Sequence, residues 1–246
     1  MRFFLIIFFI FFTFNVNSQI ISWTPDFPSI NDTITVTYDA SLGNGALINT
    51  SAIFAHTGVI NNYSSSFNDW KNIPVEWHEG ADSIIQLNPV GNNLFQIKFK
   101  IKSFYGISNN EKVSCLNFIF RNDIGTLSGT NSNGSEFSIP IFENQEIIRF
   151  TKPLDFPIFR NYGDNINVQI ISKQNGMINL FHDGQLIAQN YGDSLTFNFT
   201  TQSYGKHYIH YEMQSFGNTF TDSIYYIVEQ PQVISDPPSN TLNGIN

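Results

Sequence analysis

Cysteine is almost absent from this chain, since Cys115 is the single one among 246 residues. One cysteine excludes an intrachain disulfide and a paired-cysteine metal site, so stability must come from core packing. Cys115 lies in the strand-like run Val113–Phe120, and no activating partner is found near it in the sequence. We therefore predict a small buried core residue rather than a nucleophile.

Charged residues are also few, at 13% of the chain, and the net charge is −8. Because an acidic surface repels phosphate backbones, nucleic acid is excluded as a partner. A low charge density suits a neutral ligand, such as a sugar, better than an ionic one. The hydrophobic fraction of 41% is sufficient for packed cores in one or two domains.

Catalytic motifs are missing as well: there is no His-Glu-x-x-His, no phosphate loop and no Gly-x-Ser-x-Gly. Several acids fall between Asp69 and Asp82, but nothing holds two of them across a cleft, as glycoside hydrolysis requires. His207 and His210 are three apart in a predicted strand, point to opposite faces and cannot hold one metal ion together. We predict no catalytic residue, no metal site and no cofactor in this chain.

The one long apolar run is at the N-terminus. Met1-Arg2 supplies a positive charge, and residues 3–14 are almost entirely Phe, Ile and Leu. The run is shorter than the ~20 residues of a membrane span, and a short polar stretch follows it. These features are typical of a secretory signal peptide. We predict that residues 1–18 are removed after Ser18, that the protein is secreted or displayed on the cell surface, and that it has no membrane span.

Apolar and polar residues alternate with a period of two in many segments. Thr33–Tyr38 places Ile, Val and Tyr on one face and threonines on the other, and residues 94–101 and 165–171 repeat the pattern. Asp183-Gly184 lies between two such segments and predicts a hairpin turn. Short strands with regular turns predict an all-β fold. We expect two tandem immunoglobulin-like antiparallel β-sandwich domains after the signal peptide.

Turn-rich and proline-rich segments predict the domain boundaries. The loop-like segment 126–135 precedes a boundary near Phe142, so we predict domains over residues 19–142 and 143–230. Residues 231–246 contain Pro231, Pro237 and Pro238 and predict a linker to a further domain.

Sugar binding is the remaining chemistry that the residues support. Sugar rings stack their C–H faces on flat aromatic side chains, and their hydroxyls need a few polar partners. Trp70 lies in a polar, loop-like setting, and Trp77 follows it closely. The strand that precedes both ends in His56-Thr57-Gly58. Trp77 alternates with Val75 and so also fits a core position, and Trp23 is a candidate for simple packing.

Several motifs carry a family resemblance. They are Tyr38-Asp39-Ala40, Gly43-Asn44-Gly45, Ala55-His56-Thr57-Gly58-Val59, Asp69-Trp70-Lys71, Glu76-Trp77, Phe104-Tyr105-Gly106 and Phe118-Ile119-Phe120-Arg121-Asn122. Together they resemble the N-terminal starch-binding-like module of secreted bacterial α-amylase-family glycoside hydrolases. The second predicted domain resembles the immunoglobulin-like spacer that follows this module. The exit around Asn243-Gly244-Ile245-Asn246 resembles the link into the next domain of that family.

The resemblance implies contacts with α-glucan through His56, Trp70 and Trp77. Asp69 and His56 are the expected hydrogen-bond partners of the sugar. It also implies that a catalytic domain is covalently attached beyond Asn246. The expected function is therefore that of a non-catalytic, α-glucan-binding accessory region of a glycosidase.

Two alternatives stay open at this point. Both domains could be structural spacers or adhesive immunoglobulin-like units without sugar binding, as their uniform style and low charge suggest. Catalysis by this chain alone is the other alternative, and the missing catalytic motifs speak against it.

Overall fold

The computed structural model describes residues 19–143, 145–153 and 158–231. The predicted signal peptide, residues 1–18, lies outside the described residues. Residues 232–246, which make up nearly all of the predicted linker, also lie outside them. Both of these assignments therefore stay predictions.

The regular secondary structure of the described residues is nearly all β-strand, which confirms the all-β prediction. The strands of the first sheet are β1 Ile21–Thr24, β2 Thr33–Asp39, β3 Ile53–Asn61, β4 Gln86–Gly91, β5 Leu94–Lys100, β6 Val113–Arg121, β7 Ser128–Gly129 and β8 Phe137–Pro140. The strands of the second sheet are β9 Ile148–Lys152, β10 Ile158–Arg160, β11 Asn165–His182, β12 Gln185–Thr200, β13 Gly205–Ser215 and β14 Asn218–Val228. The helices within the described ranges are α1 Ile101–Phe104 and the 3-10 turns Trp77–Glu79 and Ser83–Ile85.

Alternating burial follows the predicted strand pattern. On β2 the side chains of Ile34, Val36 and Tyr38 are fully buried, while the threonines between them reach the surface. On β5 the buried residues are Phe95 and its alternate neighbours. Successive side chains of a strand point to opposite faces, so one apolar face enters the core while the other stays wet.

The first sheet folds over on itself into two layers. Its strand order is β1-β2-β5-β4-β3-β6-β7, with β8 beside β6. The ring of Tyr38 on β2 nevertheless stacks on Phe120 of β6, with 4.0 Å between ring centroids. Strands so far apart in the order can meet only face to face. The crossing point is β4, which pairs with β3 through Leu87 and with β5 through Asn88.

The second sheet reaches the same two-layer form through one long bent strand. The first half of β11 pairs with β9, and the second half pairs with β13, with a register irregularity between Ile171 and Gly176. Phe150 on β9 contacts Tyr211 on β13, with 4.9 Å between ring centroids. The Tyr211 hydroxyl donates to the Ile148 carbonyl oxygen at 3.0 Å. These layers fit the predicted immunoglobulin-like sandwich.

The chain divides into two compact units. The first contains the residues up to Val59, Asn72–Asn110 and Leu116–Ile139. The second contains Ile60–Lys71, Glu111–Cys115 and the residues from Pro140 onward. The sequence-based boundaries at residues 142 and 230 stay predictions.

Gly129 on β7 lies against the side chains of Tyr38 and Leu47 in the first core. A Cβ at this position would collide with the hydroxyl of Tyr38 and lie 2.9 Å from Leu47 Cδ1. Tyr38 is fully buried, and burial raises the pKa of its hydroxyl to about 12. The side chain therefore stays a neutral phenol that has no room to move.

We expect Gly129→Ala to lower the free energy of unfolding by about 1–3 kcal/mol, because overpacking forces strained side-chain positions. Urea unfolding followed by tryptophan fluorescence measures the change. The matched control is Gly91→Ala, where the added methyl would meet only the partly exposed Leu94 side chain at 3.3 Å. We expect the control to change stability by no more than about 0.5 kcal/mol. Equal effects of the two substitutions would contradict this account of the core.

Candidate functional site

His56 and Trp77 are brought into contact in the first unit. His56 lies on β3, and Trp77 begins the first 3-10 turn. The edge of one ring meets the face of the other, with 5.1 Å between centroids and an interplanar angle of 78°. The turn is held by a reciprocal cap in which the Glu76 backbone N–H donates to the Glu79 carboxylate at 2.8 Å. Trp77 is half-buried in this position.

Arg121 also packs against Trp77. Its guanidinium donates to the backbone carbonyl oxygens of Gly80 and Asp123, and its central carbon lies 5.5 Å from the Trp77 ring centroid. A Cβ on Gly125 would approach the Trp77 indole nitrogen to 2.9 Å. The indole is therefore packed between an imidazole, a guanidinium and a backbone turn. In the sequence, Trp77 alternates with Val75 and so also fitted a core position. The observed contacts match that packing role.

Asp69 closes the loop that carries Trp70. One carboxylate oxygen accepts from Lys71 Nζ at 2.7 Å. The other accepts from the Ser65 backbone N–H and hydroxyl at 2.8 and 2.9 Å. The hydrogen bond from Lys71, followed by those from Ser65, lowers the pKa of Asp69 to about 2. Both carboxylate oxygens of Asp69 are therefore engaged in hydrogen bonds within the loop. Trp70 lies on this loop and is half-buried.

The four predicted sugar-contacting residues fall in different units. His56 and Trp77 belong to the first unit, and Asp69 and Trp70 belong to the segment Ile60–Lys71 of the second. The contact that the structure shows among them is the one between His56 and Trp77. A shared sugar site of these four residues stays a prediction.

A pair of exposed tyrosines in the second unit was missed by the sequence analysis. Tyr162 is 57% exposed and Tyr204 is 43% exposed, and their ring centroids lie 5.3 Å apart. Their loops are tied together because Gly163 N–H donates to the Thr201 carbonyl at 3.0 Å, and Thr201 N–H donates to the Asp164 carbonyl at 2.9 Å. We call Tyr162 and Tyr204 the tyrosine pair. It is an exposed aromatic surface on two loops that backbone hydrogen bonds join.

A weak signal for the tyrosine pair is present in the sequence. Each tyrosine directly precedes a glycine in a polar, turn-like stretch, Asn161-Tyr162-Gly163-Asp164 and Ser203-Tyr204-Gly205. An aromatic residue in a turn has no core face to enter, so exposure could have been expected at both. Their contact could not, because it depends on how the two loops are brought together.

Within the described ranges, three side chains in the second unit could together hold a metal ion. They are His182, Asp183 and His207, whose ligand atoms lie within 4.8 Å of one another. From the sequence, His207 was compared with His210 as a ligand pair and no metal site was predicted. His210 instead stacks on Phe181, with 4.5 Å between ring centroids.

A family model described as a domain of unknown function (DUF8578) matches residues 21–128. None of the curated proteins matches the chain. No helix in the described part of the chain has the length and apolar character needed to cross a bilayer.

Several solved structures are similar to this chain at low identity. The fibronectin(III)-like modules of Clostridium thermocellum CbhA are 13% identical over 35% of this chain and 100% of that chain, with a TM-score of 0.27. A chimeric titin Z1Z2 tandem is 11% identical over 85% of this chain and 100% of that chain, with a TM-score of 0.27.

A third structure has a sugar in its complex. SGBP-B of the Bacteroides ovatus mixed-linkage glucan utilization locus, with a mixed-linkage heptasaccharide, is 10% identical over 83% of this chain and 43% of that chain. Its TM-score is 0.23.

Burial of His56 predicts a pH dependence of stability. Desolvation lowers the pKa of this imidazole below 6.5, with nearby Arg121 acting in the same direction against the opposing effect of Glu76. Above the unfolded pKa of about 6.5, His56 is neutral in both states. As the pH falls below that value, the unfolded chain takes up a proton that the folded chain resists, so stability is lost.

We expect the free energy of unfolding to fall between about pH 7.5 and about pH 5.5, and His56→Gln to make this fall smaller. Urea unfolding at the two pH values, followed by tryptophan fluorescence, measures the difference. A His56→Gln chain that is folded and has the wild-type pH dependence would show that burial of this imidazole does not matter to stability.

Proposed function

We propose that this chain is a non-catalytic protein that binds a neutral glycan. The resemblance described above implies α-glucan as the glycan class and a covalently attached glycosidase domain as the partner. Export through a cleaved signal peptide, to the medium or the cell surface, belongs to the same proposal. The exposed side chains of the second unit support the binding role.

The tyrosine pair is the observation that carries the proposal. Large aromatic side chains are normally buried, whereas these two rings are in contact and about half-exposed, so they form an aromatic surface in solvent. Such faces suit the C–H surface of a sugar ring, and a phenol also supplies a hydrogen-bonding group. Because the loops are tied together by backbone hydrogen bonds, little order has to be gained on binding.

Uncharged polar groups surround the tyrosine pair. Asn161, Gln202 and Ser203 are all exposed on the same two loops. The nearby Asp164 carboxylate accepts from the Asn161 backbone N–H at 2.7 Å and so is engaged in its own loop. Amide and hydroxyl groups beside an aromatic surface are the partners that sugar hydroxyls need.

Trp70 is the alternative contact that the family resemblance favours. Its loop is closed by the ion pair between Asp69 and Lys71, so the indole is held on a defined turn. Glucan binding by variants of Trp70 and of the tyrosine pair distinguishes these two locations.

We expect the full chain to be retarded in native gels that contain soluble starch. The double variant Tyr162→Ala with Tyr204→Ala should lose about tenfold or more in affinity, since a stacked aromatic ring contributes about 1–3 kcal/mol. Mixed-linkage β-glucan, tested in parallel, distinguishes α-linked from β-linked ligands. Trp70→Ala tests the loop that the resemblance points to.

Tyr191→Ala is the matched control, because Tyr191 is 70% exposed and lies on β12 away from the loops of the tyrosine pair. It should bind as the wild type does. Loss of binding in Trp70→Ala alone would move the site to the loop around Asp69. A folded wild-type chain that binds neither glucan would overturn the proposal.

A spacer without sugar binding is the second candidate. It is favoured by Trp77, whose ring packs against His56 and Arg121 instead of standing free for a ligand. Absence of glucan binding, with the fold intact in circular dichroism, is the outcome that this candidate expects.

A further inference from the structure

The hairpin at Asp183 and the adjoining strand β13 bring three ligand-type side chains together. His182 ends β11, Asp183 begins the turn, and His207 lies on β13. Asp183 has a φ of 47° and is followed by Gly184 with a φ of 80°, the positive values of the hairpin turn. His182 is opposite Ile209 in the sheet, so it shares a face with His207 two residues away.

Asp183 is held in place by backbone as well as side-chain bonds. Its N–H donates to the Tyr208 carbonyl at 2.9 Å, and the Tyr208 N–H donates to Asp183 Oδ1 at 2.8 Å. Its second oxygen, Oδ2, lies 2.6 Å from His207 Nδ1 and 3.7 Å from His182 Nε2. One carboxylate oxygen therefore faces two imidazole nitrogens.

The shortest contact in this cluster joins His207 and Asp183. His207 Nδ1 lies 2.6 Å from Asp183 Oδ2, a distance at which a proton on Nδ1 is donated to the carboxylate. The other nitrogen, Nε2, lies 3.1 Å from the Ser203 carbonyl oxygen, which can accept from it, and 3.3 Å from the Ser203 hydroxyl, which can donate to it. A metal ion at Nδ1 would take the place of the Nδ1 proton, and Nε2–H would then donate to the Ser203 carbonyl oxygen.

The third side chain is His182. Its Nε2 lies 2.7 Å from the Tyr226 hydroxyl, and it donates to that hydroxyl or accepts from it according to the tautomer. A metal ion at Nε2 would take the lone pair of this nitrogen and displace the Tyr226 hydrogen bond. Two imidazoles and one carboxylate are a common ligand set for zinc.

The ligand atoms are close enough for one ion to reach all three after side-chain adjustment. Zinc–ligand bonds of about 2.0–2.2 Å place neighbouring ligand atoms of a tetrahedron about 3.3 Å apart. The three atoms lie within 4.8 Å of one another, and Asp183 Oδ2 is 2.6 Å from His207 Nδ1 and 3.7 Å from His182 Nε2. Ligation therefore requires the His207–Asp183 pair to separate slightly. Ring stacking with Tyr226, at 5.7 Å for His182 and 5.0 Å for His207, orients both imidazoles. The His207 bond to Ser203 is the kind of outer contact that supports a ligating histidine.

We infer that His182 Nε2, Asp183 Oδ2 and His207 Nδ1 form a binding site for one divalent transition-metal ion, zinc by its ligand chemistry. The carboxylate of Asp183 is 42% exposed, so an ion can enter from solvent and keep a water molecule as its fourth ligand. A bound ion would link the turn of the β11–β12 hairpin to β13. Ser203 belongs to the loop of Tyr204 and contacts His207, so the site adjoins the proposed glycan surface, but zinc binding can be measured without a glycan.

Zinc chloride titrated into the EDTA-treated full chain, followed by calorimetry, tests the inference. We expect saturable binding of one zinc ion per chain and a melting temperature that rises with zinc concentration. Cobalt(II), added in place of zinc, should give the visible absorption of a tetrahedral site.

Asp183→Asn is the sharpest variant, because asparagine tolerates the positive φ and keeps an acceptor for the Tyr208 N–H. It should weaken zinc binding about tenfold or more. His182→Gln should do the same, and circular dichroism verifies that both variants are folded. His210→Gln is the matched control, since His210 lies on the opposite face of β13 and stacks on Phe181. It should bind zinc as the wild type does.

Absence of saturable zinc binding by the folded wild-type chain would overturn the inference. His207 Nδ1 would then keep its proton and donate it to Asp183. Equal zinc affinity in Asp183→Asn and the wild type, or a loss in His210→Gln as large as in Asp183→Asn, would overturn it as well.

Discussion

Burial of one face of each strand against a facing layer is the interaction on which both sandwiches depend. In the first sheet Tyr38 stacks on Phe120, and in the second Phe150 packs against Tyr211. No disulfide can supplement these contacts, because Cys115 is the single cysteine and is itself buried. Since the inward positions are taken by the core, ligand chemistry is confined to loops, turns and outward positions.

The second unit shows how a rigid sandwich places such groups. Thr201 ties together the two loops that carry Tyr162 and Tyr204, and its hydroxyl donates to the Asn161 carbonyl at 2.7 Å. The turn at Asp183 is held against β13 by backbone bonds in the same way. In both cases the backbone loses its conformational entropy during folding, so little further entropy would be lost if these side chains bound a ligand.

Local features of the fold could be predicted and were confirmed. The alternation in Thr33–Tyr38 predicts a strand with one buried face, Asp183-Gly184 predicts the hairpin, and Cys115 was expected in a core. The sites were harder to predict. From the sequence, Trp77 suited either a sugar surface or a core. Arg121, which packs against it, is far from it in the sequence. His207 was compared with His210, its neighbour in sequence, whereas its neighbour in space is Asp183.

The sequence by itself determined the strand character, the hairpin turn and the absence of a disulfide, because alternation, turn chemistry and cysteine number are properties of short segments. Only the tertiary structure decided that Tyr162 meets Tyr204 and that His182, Asp183 and His207 converge. Such contacts depend on the register of paired strands and on the closure of loops onto each other. A register shift of one residue would turn His207 to the opposite face, so no local pattern could have specified that site.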